Sequence, residues 1–304
     1  MKSTPFVLIA VALLSASPLM AQSNKRGGKV ASLPTHYSWM SPDVSAAWQQ
    51  GYQGQGVTIT VVDDFRSRDR FSGNLTGVTS SRRHGDWTLQ QARLIAPKAT
   101  LKSDDFSSGP RVSLARGFNV LNLSYGMMAP SGLYALRWSR QESSIIDYAR
   151  NGQAVVSKAA GNDYGTAIGQ PSSEGEVDYL NRDLIGAPSA IFVGALSTNG
   201  SPQTPAVMAD YSNIAGHNPT VQNQFLVVGV EGHRTDLYGT SFAAPVISGY
   251  AAILSSKFTR AQPTQIVNQL LSTARQDTLV NYTPSVHGQG EASLSRALAP
   301  ASIR

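Results

Sequence analysis

The chain has 304 residues, 25 Lys and Arg against 19 Asp and Glu, and no cysteine. That length suits one large α/β domain with a sizeable core, and the lack of cysteine excludes disulfide stapling and thiolate metal sites. The formal charge of +6 is a modest excess carried by short clusters, Lys25-Arg26 and Arg82-Arg83, with no interleaved aromatics, so nucleic acid is not an expected partner.

Met1-Lys2, an apolar run from Phe6 to Leu14 and small residues up to Ala21 have the layout of a secretory signal peptide cleaved near Ala21. That run is too short to span a bilayer and no later stretch approaches the needed length, so a secreted or periplasmic protein without a membrane span is expected. Residues 22–37 are polar and rich in Lys, Gly and Ser, a flexible lead-in or short propeptide before a domain over 38–304. Val57 to Val62, Val120 to Leu123, Ala154 to Ser157, Ala190 to Val193 and Phe225 to Val228 then read as short buried strands. Helices are predicted between them at 87–93, 133–150, 241–257 and 263–274. This alternation predicts an open doubly wound α/β fold, a mostly parallel sheet with helices on both faces and active residues at the carboxyl ends of strands. The apolar tail from Leu294 to Ile303 is suited either to docking on the domain or to binding a partner.

Several residues along this frame carry chemistry. The first strand runs straight into Asp63 and Asp64, whose mutual repulsion is expected to lift one of the two pKa values. His84 is followed by Gly85 and a helix start. Asn122-Leu123-Ser124-Tyr125-Gly126 ends the second strand with a glycine that lets an extended peptide approach and pair. Lys158-Ala159-Ala160-Gly161-Asn162-Asp163 places a carboxamide on a turn. Gly239-Thr240-Ser241-Phe242-Ala243-Ala244-Pro245 puts a serine at the first turn of an interior helix, where unpaired amides and the dipole favour negative charge. Each has a bland alternative: turn residues for Asp63, Asp64 and Asn162, an exposed histidine in an Arg-rich loop, a helix cap for Thr240 or Ser241.

Taken together, the motifs resemble those of the subtilisin-like serine peptidases, the subtilases. Gly239 to Pro245 resembles the serine signature. Gly54-Gln55-Gly56-Val57 and the strand ending at Asp63 resemble the aspartate motif, and His84-Gly85 resembles the histidine motif. Leu94-Ile95-Ala96-Pro97-Lys98-Ala99-Thr100-Leu101, Asn122 to Gly126 and Ala159-Ala160-Gly161-Asn162 also match family segments, and the chain order is Asp, His, Asn, Ser. The resemblance covers residues 38–275. It implies a serine endopeptidase with Ser241 as nucleophile, His84 as base, Asp63 orienting it and Asn162 as oxyanion donor. It further implies a protein or peptide substrate lying against Ser124, Tyr125, Gly126, Ala159, Ala160 and Gly161, no cofactor in the chemistry, no metal ligands, and a monomer. Structural calcium stays open, since the loop that carries it in many subtilisins has little room here.

Two departures, Asp64-Phe65 after the aspartate and Asp86-Trp87 after the histidine, keep open an inactive, binding-only relative. An esterase using Ser124 with Asp236 and His287 is a further alternative, although the first glycine of its nucleophile elbow is missing.

Overall fold

Runs of Val, Ile and Leu make the centre of the molecule a sheet buried on both faces. The computed structural model describes residues 33–106, 108–134 and 136–303. The signal peptide and residues 22–32 of the lead-in lie outside them. Six strands form the central sheet: β1 (Val57–Asp63), β2 (Thr100–Asp105), β3 (Phe118–Leu123), β4 (Val155–Ala159), β5 (Ala190–Leu196) and β6 (Phe225–Gly229). Their spatial order is β6-β5-β4-β3-β1-β2 and every pairing is parallel. Alternate side chains feed two cores. Ile59, Val61, Val120, Val155, Ile191 and Val228 belong to one, and Val62, Leu121, Val156, Phe192 and Val227 to the other.

Helices cover both faces: α1 (Pro42–Gln49), α2 (His84–Ile95), α3 (Arg140–Arg150), α4 (Ala244–Lys257), α5 (Pro263–Ser272) and α6 (Leu294–Leu298). This is the doubly wound α/β architecture the sequence predicts. α4 runs through the first core with nearly all its residues buried, as its small apolar composition requires. Gly249 lets α2 approach it: a Cβ there would lie 2.5 Å from Ile95 Cγ2 and 2.8 Å from Ile95 Cβ. Gly249→Val is therefore expected to cost about 1–3 kcal/mol through overpacking, read as a lower urea midpoint at unchanged slope.

Some boundaries differ from expectation. The helix expected over 133–150 begins only at Arg140, where Ser139 accepts hydrogen bonds from the Gln141 and Glu142 N–H groups as an N-cap. Ahead of it, Met128–Pro130 pairs antiparallel with Glu176–Asp178. The helix expected from Ser241 starts as a 3₁₀ turn, Thr240–Phe242, and becomes α-helical at Ala244, with Pro245 in its first turn, where a missing donor is harmless. Strand β2 lacks a sequence signal because it is an edge with several exposed residues, Lys102 and Ser103 among them.

The tail from Leu294 docks. Leu294, Ala297 and Leu298 are buried in the first core. Asp43 of α1 accepts hydrogen bonds from the Ser293 hydroxyl at 3.2 Å and the Ser295 N–H at 2.9 Å.

Candidate active site

The winding of the sheet reverses at β1, which has the edge strand β2 on one side and β3 on the other. The crevice beyond the carboxyl ends of such neighbouring strands is where open α/β sheets place ligands. Asp63 is the last residue of β1, Ser124 follows β3, and Gly161 and Asn162 follow β4 closely.

His84 opens α2, and its Nδ1 is 2.6 Å from Asp63 Oδ1. The Asp64 N–H donates to the same oxygen at 2.7 Å, and the Thr88 hydroxyl donates to Asp63 Oδ2 at 2.7 Å. A carboxylate approached by donors at both oxygens dictates the tautomer: Nδ1 carries the hydrogen and Nε2 is left to accept a proton. Thr88 belongs to none of the motifs quoted from the sequence. It stands one helical turn after His84, on the same face, and that spacing is the signal that identifies it.

Burial lowers the His84 pKa, but the Asp63 hydrogen bond and the charges of Asp63 and Asp64 outweigh it, so the ring titrates above its ordinary 6.5. For Asp64, burial pulls upward while hydrogen bonds from Ser67 and Arg66 and the proximity of His84 prevail, holding it below the ordinary carboxylate value. The expectation that repulsion lifts one of the two carboxylates is therefore not met by Asp64. Its Oδ1 turns back to accept the Arg66 and Ser67 N–H groups in an Asx turn, leaving Asp63 to face the imidazole.

The departures beside these residues have structural work. Phe65 N–H donates to Asp105 Oδ2, anchoring the chain after β1. Asp86 lies in the first turn of α2, where a negative charge suits the dipole. Trp87 is buried and its indole N–H donates to Phe71 O, bringing the Phe71 ring edge-on to His84 at 5.9 Å between centroids.

Ser241 is half-buried on the turn before α4, and the ring of the next residue, Phe242, is 5.5 Å from that of His84. The Ser241 hydroxyl donates to Ser124 O at 3.0 Å, while the Ser124 hydroxyl donates to Ser241 O at 2.8 Å. Among the described residues no hydrogen bond joins Ser241 to His84. Contacts of this kind commonly form only around a bound substrate.

Asn162 is exposed, with a fixed orientation. Its Oδ1 accepts from the Thr240 N–H at 2.8 Å and the Thr240 hydroxyl at 3.0 Å. A backbone N–H can only donate, so the atom it meets is the oxygen, and the Nδ2 donors are turned away from Thr240. The Thr240 hydroxyl in turn accepts from Gly161 N–H at 3.0 Å. Gly161 has φ +113°, a conformation L side chains rarely adopt, and a Cβ there would strike Asn213 Nδ2 at 2.4 Å. Thr240, which the sequence offers only as a cap, is thus the link between the Ser241 turn and the Asn162 loop.

A cleft of about 220 Å³ runs between the two segments, lined by Ser124, Tyr125, Gly126, Ala159, Gly161, Asn162 and Ser241 among others. Ala160, also expected there, is fully buried beneath it. Its N–H donates to Val193 O and its carbonyl accepts from the side chains of Asn181 and Asn213, so it has no free backbone group to offer. Among the described residues no hydrogen bond joins Ser124, Asp236 and His287, the three residues of the esterase alternative. His287 pairs through Nδ1 with Thr283 and packs on Tyr282, and among the described residues neither it nor Asp236 bonds to Ser124. No group of three or more His, Cys, Asp or Glu side chains among the described residues is arranged to hold a metal ion.

Comparison with known proteins places this geometry in context. The model of the Subtilase family matches residues 75–291, a span that includes His84, Asn162 and Ser241 and begins after Asp63. Mycosin-1 of Mycobacterium tuberculosis is 31% identical over 193 residues, which are 56% of this chain and 43% of mycosin-1. Subtilisin DY of Bacillus licheniformis is 30% identical over 169 residues, 55% of this chain and 53% of that protein, so the chain spans about half the length of these relatives. Among solved structures, the prenylagaramide maturation protease superposes with a TM-score of 0.54 at 20% identity, covering 85% of this chain and 98% of that one.

Proposed function

Since the chain belongs to the subtilase family, we propose that it is an exported serine endopeptidase. Ser241 attacks the carbonyl carbon of a peptide bond, His84 Nε2 takes its proton, and Asp63 holds the imidazole tautomer and stabilises its positive charge. The tetrahedral oxyanion is met by Asn162 Nδ2 and by the Ser241 N–H, which precedes the first hydrogen bonds of the 3₁₀ turn. His84 then protonates the departing amine, and water hydrolyses the acyl-enzyme by the same route. The chemistry uses no cofactor. The observation that carries this reading is the 2.6 Å Asp63–His84 hydrogen bond at the reversal point of the sheet, beside the turn that bears Ser241. The pattern from Met1 to Ala21 supports export.

Labelling with a fluorophosphonate and mapping the adduct tests the assignment. An adduct on Ser241 is the expected result. An adduct on Ser124 would favour the esterase, and a folded protein that labels nowhere would favour a binding-only relative.

The base must be neutral, so kcat/KM is expected to rise with pH at a midpoint above 6.5, the ordinary imidazole value. Asp64→Asn removes one of the charges that raise it and should move the midpoint to lower pH. The same interaction stabilises the fold below the ordinary imidazole pKa, and this contribution is lost as pH rises through the folded value. A pH-rate profile of wild type and Asp64→Asn with a small peptide substrate checks the direction, and coincident profiles would remove Asp64 from the account.

A further inference from the structure

One pair of charges in the cleft has no part in this chemistry. Lys158 lies on β4 with a side chain only 1% exposed, and its Nζ is 3.0 Å from Asp178 Oδ2, whose side chain is 9% exposed. The ammonium also donates to Ala159 O at 2.7 Å. Asp178 Oδ1 accepts the backbone N–H groups of Met127 at 3.0 Å, Leu180 at 3.1 Å and Asn181 at 3.3 Å. Both residues line the same cleft as Ser241 and Asn162. The carboxylate lies close beneath Gly126, since a Cβ on that glycine would be 2.9 Å from Asp178 Oδ2.

Resting on the peptidase reading, the place of this cleft along a substrate follows from geometry. A carbonyl carbon at Ser241 with its oxygen at Asn162 leaves the acyl side of the peptide to run between the Ser124–Gly126 and Ala159–Gly161 segments. The side chain immediately preceding the scissile bond then enters the cleft. We infer that the Lys158–Asp178 ion pair forms the floor of this pocket and restricts that side chain to uncharged types, because Lys158 occupies the carboxylate a basic side chain would need.

An incoming charge of either sign would leave water for a floor whose two charges already neutralise each other, so neither Lys or Arg nor Asp or Glu finds a net opposite charge to offset its desolvation. A desolvated charge without a counter-charge discriminates strongly between substrates. The other carboxylate of the cleft, Asp163, accepts from Asn213 Nδ2 at 2.8 Å and is tied to its own loop. The signal in the sequence is one lysine inside an otherwise small and apolar strand, Val155-Val156-Ser157-Lys158-Ala159. A lysine buried at such a position needs a partner in the fold.

The test is kcat/KM on peptides differing only at the residue before the cleaved bond: Ala, Leu, Arg, Lys, Asp and Glu. Wild type should favour uncharged residues over both charged classes by about tenfold or more. Lys158→Ala exposes the Asp178 carboxylate and should raise the Arg-to-Leu ratio by about tenfold. Asp178→Asn keeps an acceptor for the backbone N–H groups, frees the ammonium, and should raise the Glu-to-Leu ratio. Circular dichroism identifies folded variants; where one does not fold, the other variant and the wild-type ranking decide. A wild type that ranks a charged residue first, or a folded variant with unaltered ranking, overturns the pocket assignment alone. A wild type that cleaves no peptide and takes no fluorophosphonate overturns the peptidase reading and this assignment with it.

Discussion

Ser241→Ala is expected to lower turnover of unfolded casein by about 10⁴-fold or more while leaving the fold intact. The hydroxyl makes one hydrogen bond, to Ser124 O, on a half-buried turn, so its removal leaves no cavity of consequence and strands no buried donor. Asp63→Asn should be similarly damaging, about 10⁴-fold, for a different reason. An asparagine keeps its oxygen toward the Asp64 N–H and His84 Nδ1 and its amide nitrogen toward the Thr88 hydroxyl, so what is lost is the negative charge that stabilises the imidazole once it has taken the serine proton. The loss should fall on kcat, and the double variant should be little worse than either single one, because the residues act as a unit. Equal rates for wild type and Ser241→Ala would end the proposed mechanism, and additive losses would mean that Asp63 acts on something other than this proton transfer.

Asn162→Ala should reduce kcat by about 10² to 10³-fold with little change in KM, since its Nδ2 donors are matched to charge present only in the transition state. Thr240→Val offers a sharper comparison. It removes the hydroxyl that bonds Asn162 Oδ1 and Gly161 N–H but keeps the backbone N–H contact to Asn162. A smaller loss, again in kcat, is expected from Thr240→Val. Steady-state kinetics on one peptide settles both, and a change confined to KM would mean that Asn162 contacts the substrate in its ground state.

How far the sequence discloses this arrangement depends on which physical signal each residue leaves. β1, β3, β4, β5 and β6 are legible because a strand buried on both faces needs an unbroken apolar run, and five such runs are present. β2 has charged and half-exposed residues at the sheet edge, so its pattern is that of a loop. The start of α3 is misplaced because Leu133 and Leu136 mimic helical spacing, whereas the capping pair Ser139 and Glu142 marks the true boundary. Of the site, Asp63, His84, Asn162 and Ser241 stand in recognisable local motifs. Thr88 and Lys158 leave only spacing and composition as a trace, and their roles, like that of Thr240, rest on contacts made only after folding, Lys158 with a residue 20 positions away. Ala160 fails in the opposite sense: it belongs to a motif, yet its neighbours Asn181 and Asn213 consume its carbonyl.

Asp43, near the start of the described chain, is fastened to Ser293 and Ser295, 250 and 252 positions later. A ribosome emits residues one after another, so α1 cannot acquire these bonds until residues 293–295 have emerged. Leu294 and Leu298 likewise complete the first core only at that stage. Closure of so long a loop comes late in assembly for entropic reasons. The first core therefore stays open on one side until α6 has been made and can lock α1 in place.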